Sequence, residues 1–227
     1  MSRTVVITGA GGALAAAVNR TFAEAGWQLV LLAYSTANAE RLASAYPDAV
    51  VHILDLTDET ATRARFEALA SVDAVLNLAG GFGMQAAAEA TARDRDKLFA
   101  LNFTTLFNVC RAVIPAMQAQ GHGFIMGVAA AAADEGGAQM GLYAASKAAA
   151  ASYLKSLRAE LASDGIRVSI LYPMGAIDTP ANRNAMPNFP EAKWISADEL
   201  AQAALYLAER SANGHVGDLR VHALAAL

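Results

Sequence analysis

The first segment of the chain constrains its fold most. Thr4-Val5-Val6-Ile7-Thr8 is a continuous β-branched run that leads into Gly9-Ala10-Gly11-Gly12, and then into an Ala-rich stretch that stops at Gly26. Such a run reads as a strand buried on both faces of a parallel sheet. The stretch 13–25 reads as a helix ended by glycine. Strand, glycine-rich turn and helix in this order make the start of a dinucleotide site: glycines let backbone amides approach a pyrophosphate, and the helix N-terminus adds partial positive charge. A tight turn without a ligand is the other reading of the glycines alone; the strand before and the helix after favour a cofactor.

The alternation continues. Strands are expected over 29–34, 50–54, 73–78, 123–128, 166–171 and 218–223, and helices over 37–45, from Thr57 or Asp58 to Ala70, over 95–120, from Ala144 to Leu161 and over 198–209. The segment 173–196 holds Pro173, Pro180, Pro187 and Pro190, four of the six prolines. So many prolines argue against a regular helix, and a long irregular segment within a compact domain reads as a lid or substrate loop. With no repeat or linker, residues 1–227 read as one α/β domain, a doubly wound, mostly parallel sheet with helices on both faces.

Composition narrows the function. Hydrophobic residues make up 55% and charged ones 17%, as in a compact globule. A net charge of -4 argues against nucleic acid or an anionic membrane as the main partner, and points to a small-molecule substrate. Cys110 is the only cysteine, which excludes an internal disulfide and a thiolate zinc site, and the four histidines lack ligand spacing, so no metal is expected. The N-terminus imitates a signal peptide with Arg3 and small apolar residues, but Gly9, Gly11 and Gly12 interrupt it. No apolar run approaches the roughly 18–20 residues of a membrane span. A cytoplasmic protein is the simplest expectation.

Several residues carry potential chemistry. Tyr143 and Lys147 lie four apart in a helix-forming stretch, so the phenol and the ammonium share one face. A free phenol, with a pKa near 10, transfers protons poorly at neutral pH, and a fixed ammonium beside it stabilises the phenolate and pulls that pKa down. This spacing alone is common on ordinary helices. After the third strand, Asp55-Leu56-Thr57-Asp58 offers helix caps, or a carboxylate beside an adenine ring. After the fourth, Asn77-Leu78-Ala79-Gly80-Gly81 is small enough for backbone to lie against a flat ligand, or is a plain strand exit.

Thr8-Gly9 with its turn, Asp55, Asn77 to Gly80, Asn102, Tyr143-x-x-x-Lys147, and Pro173 with Thr179 stand in the order and spacing of the short-chain dehydrogenases/reductases, which the whole chain resembles. The resemblance implies a Rossmann-type fold with a seven-stranded sheet, and hydride transfer with NAD(H) or NADP(H). It implies Tyr143 as general acid/base, Lys147 holding the nicotinamide ribose and lowering the tyrosine pKa, and Asn102 positioning a water that relays protons to Lys147. A plain helix-packing role for Asn102 stays open. Implied cofactor contacts are Gly9, Gly11, Gly12, Ala13, Leu14, Tyr34, Ser35, Asp55, Leu56, Asn77, Ala79, Gly80, Tyr143, Lys147, Pro173 and Thr179. The family also pairs subunits through the Tyr143 helix and the Asn102 helix, and the small residues Ala148 to Ala151 suit close approach, so a homodimer or homotetramer is expected.

The chain also departs from the family pattern. Two later glycines of the turn fall on Ala13 and Ala15, where a methyl is expected to crowd the pyrophosphate or the helix–strand contact. The family serine that hydrogen-bonds the substrate carbonyl falls on Ala130, flanked by Ala129 and by Ala131 to Ala133. Losing one such donor typically costs ~10²–10³ in rate. The dihydropteridine reductase branch carries alanine there, and the chain is similar to it in Ala79-Gly80-Gly81, in Met140-Gly-Leu-Tyr143 and in Ile177-Asp-Thr-Pro180-Ala-Asn-Arg183-Asn-Ala-Met-Pro187 followed by Trp194. A quinonoid dihydropterin needs one proton at a ring nitrogen, so the serine is dispensable. An ordinary carbonyl reductase of weakened activity and a non-catalytic nucleotide sensor are the alternatives. Trp194 could stack on a planar substrate or anchor the lid, and Arg183 could meet a phosphate or face solvent. No acid ends the second strand, where Ala33, Tyr34, Ser35 and Thr36 stand, so NADP(H) is favoured over NAD(H), although no basic residue occupies Tyr34 or Gly12.

Overall fold

The computed structural model describes residues 3–227. Strands β1 (Thr4–Thr8), β2 (Gln28–Ala33), β3 (Val50–Ile53), β4 (Ala74–Asn77), β5 (Gly123–Val128) and β6 (Ile166–Pro173) alternate with helices. These are α1 (Ala13–Glu24), α2 (Thr36–Ala45), α3 (Glu59–Glu67), α4 (Ala92–Phe99), α5 (Thr105–Gln120), α6 (Ala132–Glu135) and α7 (Gly141–Leu161). Beyond β6 lie β7 (Ile177–Asp178), α8 (Pro180–Ala185), β8 (Ile195–Ser196), α9 (Ala197–Ala208) and β9 (Asp218–Val221). Seven strands form one sheet in the order β3-β2-β1-β4-β5-β6-β9, with every pairing parallel.

Pleating sends alternate strand residues to opposite faces. Val5 and Ile7 pack beneath Val18 and Phe22 of α1 and Leu200 and Ala204 of α9, whereas Val6 packs beneath Val109 and Val113 of α5 and Leu154 of α7. Both faces are therefore covered, which is why the strands read as unbroken apolar runs. The strand order reverses between β1 and β4, so the crevice at their carboxyl ends is where this architecture takes a ligand.

Some expected boundaries shift. β2 ends at Ala33 rather than Tyr34, which leaves Tyr34 outside the sheet and 75% exposed. The long helix begins at Ala92 behind a Thr91/Asp94 capping box, and its middle, Ala100–Thr104, is a π-helical turn. The run Ala92–Gln120 is, contrary to expectation, long and apolar enough by composition to cross a membrane. Its apolar side is instead buried against the sheet, α3 and α7. The 173–196 loop does contain a helix: Pro180 sits in the first turn of α8, where its missing N–H costs nothing, and Thr179 caps it. A parallel bridge between β7 and β8 closes the base of the loop.

Candidate active site

The turn after β1 is held from two sides. The buried Thr8 hydroxyl accepts from the Leu78 and Ala79 amides at 3.0 and 3.1 Å. Asn19, buried on α1, donates to the Ala10 carbonyl at 3.0 Å. Gly9 has φ +59°, and a Cβ there would lie 2.8 Å from the Ala79 backbone, so both conformation and space demand glycine. Helix α1 starts at Ala13 with Gly12 as N-cap, no side-chain cap and no acid in its first turn. The Ala13, Leu14 and Ala15 amides are therefore the free donors of that helix end. The helix–strand contact is not crowded, since the Ala15 methyl is accommodated in the interior, while Ala13 stands exposed at the helix start.

A cleft of about 500 Å³ runs from this turn along Tyr34, Asn38, Asp55 and Leu56 to Ala79 and Gly80. Ser35 caps α2, accepting from the Asn38 amide. Asp58 is the cap of α3, whereas Asp55 folds its own turn, one oxygen accepting from the Thr57 amide at 2.9 Å and the Thr57 hydroxyl at 2.7 Å. Asn108, buried on α5, fixes this turn by donating to the Leu56 and Thr57 carbonyls at 2.9 and 3.2 Å. Gly-lined walls, free helix amides and this volume fit a dinucleotide. A second cavity of about 340 Å³ lies at the amino end of β2 beside Trp27 and Tyr46, away from these loops.

At the inner end of the cleft, Asn77 is buried and donates to the Met126 carbonyl at 3.2 Å, tying β4 to β5. Asn102, on the π-helical turn, grips Gly81 in both directions: its Oδ1 accepts from the Gly81 amide and its Nδ2 donates to the Gly81 carbonyl, each at 2.9 Å. Its amide also donates to the buried Ser146 hydroxyl at 3.0 Å. Both ends of the Asn102 side chain are thus engaged, and it braces the glycine loop.

Tyr143 and Lys147 sit on the first turns of α7. The Lys147 ammonium donates to the Val128 carbonyl at 2.9 Å, and a Cβ on Gly80 would come within 3.3 Å of it, so Nζ borders the cleft. Only 9% of Lys147 is exposed, no carboxylate among the described residues pairs with it, and burial lowers its pKa to about 8. The Tyr143 phenol meets the Phe82 ring edge-on, 4.9 Å between centroids. The expected depression of its pKa does not occur. Burial raises it above the ordinary phenol value by desolvating the phenolate.

Ala130 lies just after β5, in a loop tied to the end of β6 by the Ala131 amide, which donates to the Pro173 carbonyl at 3.2 Å. The Thr179 hydroxyl is engaged as the cap of α8, accepting from the Asn182 amide at 3.2 Å. Arg183 is committed within the loop, to Asp178 and Glu191 and over the Trp194 ring. Trp194 packs on Phe189 at 4.6 Å, so these side chains hold the loop together. Asn19, Asn108, Ser146 and Phe82 were not singled out from sequence; the only signal of the first three was a polar residue on an otherwise apolar helix face.

The model of the family described as short chain dehydrogenase matches residues 3–188. The 1-deoxy-11-beta-hydroxypentalenate dehydrogenase of Streptomyces avermitilis is 32% identical over 213 residues, covering 88% of this chain and 78% of that one. The 2-(R)-hydroxypropyl-CoM dehydrogenase of Xanthobacter autotrophicus is 29% identical over 234 residues, 93% of each chain. Among solved structures, a gluconate 5-dehydrogenase from Burkholderia cenocepacia in complex with NADP and tartrate is similar with a TM-score of 0.89 at 26% identity, covering 100% of this chain and 97% of that one.

Proposed function

Because the chain belongs to the short-chain dehydrogenase family and is an NAD(P)-dependent oxidoreductase, we propose that it reduces a planar conjugated imine of the quinonoid dihydropterin class, with NADP(H) favoured over NAD(H). The observation that carries the catalytic reading is the placing of Tyr143 and Lys147 on one face of α7, with Lys147 Nζ against Gly80 in the crevice at the ends of β1 and β4.

The first-turn amides of α1 and the glycines of the 9–12 turn hold the pyrophosphate, and Asp55 with Leu56 borders the adenine. Gly80 and Gly81, braced by Asn102, form the wall for the nicotinamide, and Lys147 holds its ribose. When bound, NAD(P)H supplies the hydride. Tyr143 donates a proton from its hydroxyl to the substrate nitrogen and recovers one from solvent. Its raised pKa keeps the proton in place at neutral pH, as a donor in the reductive direction requires.

The substrate class rests on Ala130 and its surroundings. Residues 129–133 offer no hydroxyl, so a carbonyl oxygen would lack a second donor, whereas an imine needs only the one from Tyr143. Phe82, 63% exposed beside Tyr143, and the exposed Met84 present apolar surface suited to a flat ring. A carbonyl or alcohol substrate is the second reading, favoured by relatives named as dehydrogenases of hydroxy compounds. Purified enzyme assayed with NADPH and NADH against a quinonoid dihydropterin and a panel of ketones decides between them. Pterin turnover that Tyr143→Phe abolishes is expected; ketone turnover alone would retire the pterin.

A homodimer or homotetramer is the expected assembly, and of the four small residues on α7 Ala148 and Ala149 stay partly exposed for it. Ala150 and Ala151 are buried within this chain's own core. The half-buried Phe103, Phe107 and Tyr153 form an aromatic cluster across the π-helical turn, α5 and α7, with centroids 5.7–6.2 Å apart, and a partner helix could cover it as well.

A further inference from the structure

The fold brings a cation to the glycine-rich turn that no local motif announces. Arg41 stands on the second turn of α2, far along the chain from the turn, yet its Nη2 donates to the Gly11 carbonyl at 2.8 Å and to the Asn38 side-chain oxygen at 3.2 Å. The arrangement depends on Gly11 having no side chain, since a Cβ there would lie 2.5 Å from Asn38 Cγ. Among the described residues, Arg41 is the one basic side chain hydrogen-bonded to the turn.

We infer that Arg41, with Asn38 and Ser35, recognises the 2′-phosphate of NADP(H) and so sets the cofactor preference. A guanidinium has five N–H donors in a planar fork, and both contacts of Arg41 use one nitrogen, leaving Nε and Nη1 for a bidentate grip on phosphate. Among the described residues Asn38 Nδ2 and the Ser35 hydroxyl proton have no acceptor, while the Ser35 oxygen accepts from the Asn38 amide at 3.4 Å. The strand that leads here ends in Ala33, so no carboxylate at that position repels a phosphate or competes for the guanidinium. The adenosine side of the cleft, lined by Tyr34, Asn38 and Asp55, opens beside this group. This inference rests on the cofactor reading above and adds the residues that discriminate between the two dinucleotides.

The test is direct binding. Wild type, Arg41→Gln and Arg41→Lys are titrated calorimetrically with NADPH, NADH, 2′,5′-ADP and 5′-AMP, with thermal unfolding as the check of fold. Arg41→Gln is expected to weaken NADPH and 2′,5′-ADP by roughly 10- to 100-fold, the worth of a charge-assisted hydrogen-bonded contact, and to change NADH and 5′-AMP by less than about threefold. Arg41→Lys keeps the charge but not the fork, and falls between the two. Equal losses for the phosphorylated and unphosphorylated ligands would make Arg41 a brace of the turn and overturn the assignment. A wild-type preference for NADPH that survives Arg41→Gln overturns it too, while leaving the NADP(H) reading standing. A wild-type preference for NADH removes both.

Discussion

Asn102 and Ser146, 44 residues apart in the chain, share a buried hydrogen bond of 3.0 Å. Ser146 in turn donates to the Tyr143 carbonyl at 2.8 Å, while Asn102 holds Gly81. The glycine loop and the tyrosine backbone are thereby one unit. Asn102→Ala strips partners from both polar groups of Gly81, and is expected to cost about 1–3 kcal/mol in denaturant unfolding together with a loss of NADPH affinity. Ser146→Ala removes two bonds, the one accepted from Asn102 and the one donated to the Tyr143 carbonyl, and costs about 1–3 kcal/mol. An unchanged unfolding midpoint for Asn102→Ala would show that the brace carries no weight.

Tyr143→Phe keeps the ring against Phe82 and removes the proton. Turnover is expected to fall by roughly 10²–10⁴, with NADPH affinity nearly unchanged. Because burial raises the phenol pKa, the proton donor persists across the neutral range, and the reductive rate gains no acidic dependence from it. Oxidation needs the phenolate, so its rate rises with pH. An oxidative rate that falls between neutrality and mild alkali would contradict the role.

Lys147 titrates at about 8 in the folded chain against an ordinary 10.5. Below about 8 the fold carries the full cost of a buried ammonium; as pH rises from about 8 to 10.5 the folded chain releases its proton before the unfolded one, and stability increases. The gap corresponds to roughly 3 kcal/mol. Lys147→Met is expected to stabilise the protein at neutral pH by about 1–2 kcal/mol once the lost bond to Val128 is counted, while turnover disappears. That gain should shrink toward the alkaline end of the window. Urea unfolding at two pH values measures it, and a variant less stable than wild type at neutral pH would refute the account.

Gly9→Ala and Gly121→Ala form a matched pair, with φ +59° and +71°. Around Gly121 the space is open, so alanine there costs only the backbone penalty of ~1 kcal/mol and leaves NADPH binding intact. At Gly9 the added methyl also meets the Ala79 backbone at 2.8 Å, and dinucleotide binding should be lost. Equal binding by the two variants, followed by fluorescence titration, would argue against the turn as the pyrophosphate site.

Ala130→Ser restores a hydroxyl beside the end of β5. Ketone turnover is expected to rise by up to ~10²–10³-fold, the worth of one donor to a developing oxyanion, with little change for a quinonoid dihydropterin. A parallel rise for both substrates would mean that the imine also needs the donor.

Local patterning was sufficient for much of this protein. Unbroken β-branched runs such as Thr4–Thr8 declare strands covered on both faces, their alternation with helices yields the parallel sheet, and the four-residue step from Tyr143 to Lys147 puts both on one helix face. These properties repeat over a few residues, so neighbours in the chain decide them. Packing decided the remainder. It turned the Asp55 carboxylate onto Thr57, committed Arg183 to its own loop, faced Ala150 and Ala151 inward and laid Arg41 on Gly11. It also reversed the expected pKa shift of Tyr143. Contacts between separate loops, and the loss of water around a phenol or an ammonium, arise only when distant segments meet, and no spacing along the chain encodes them.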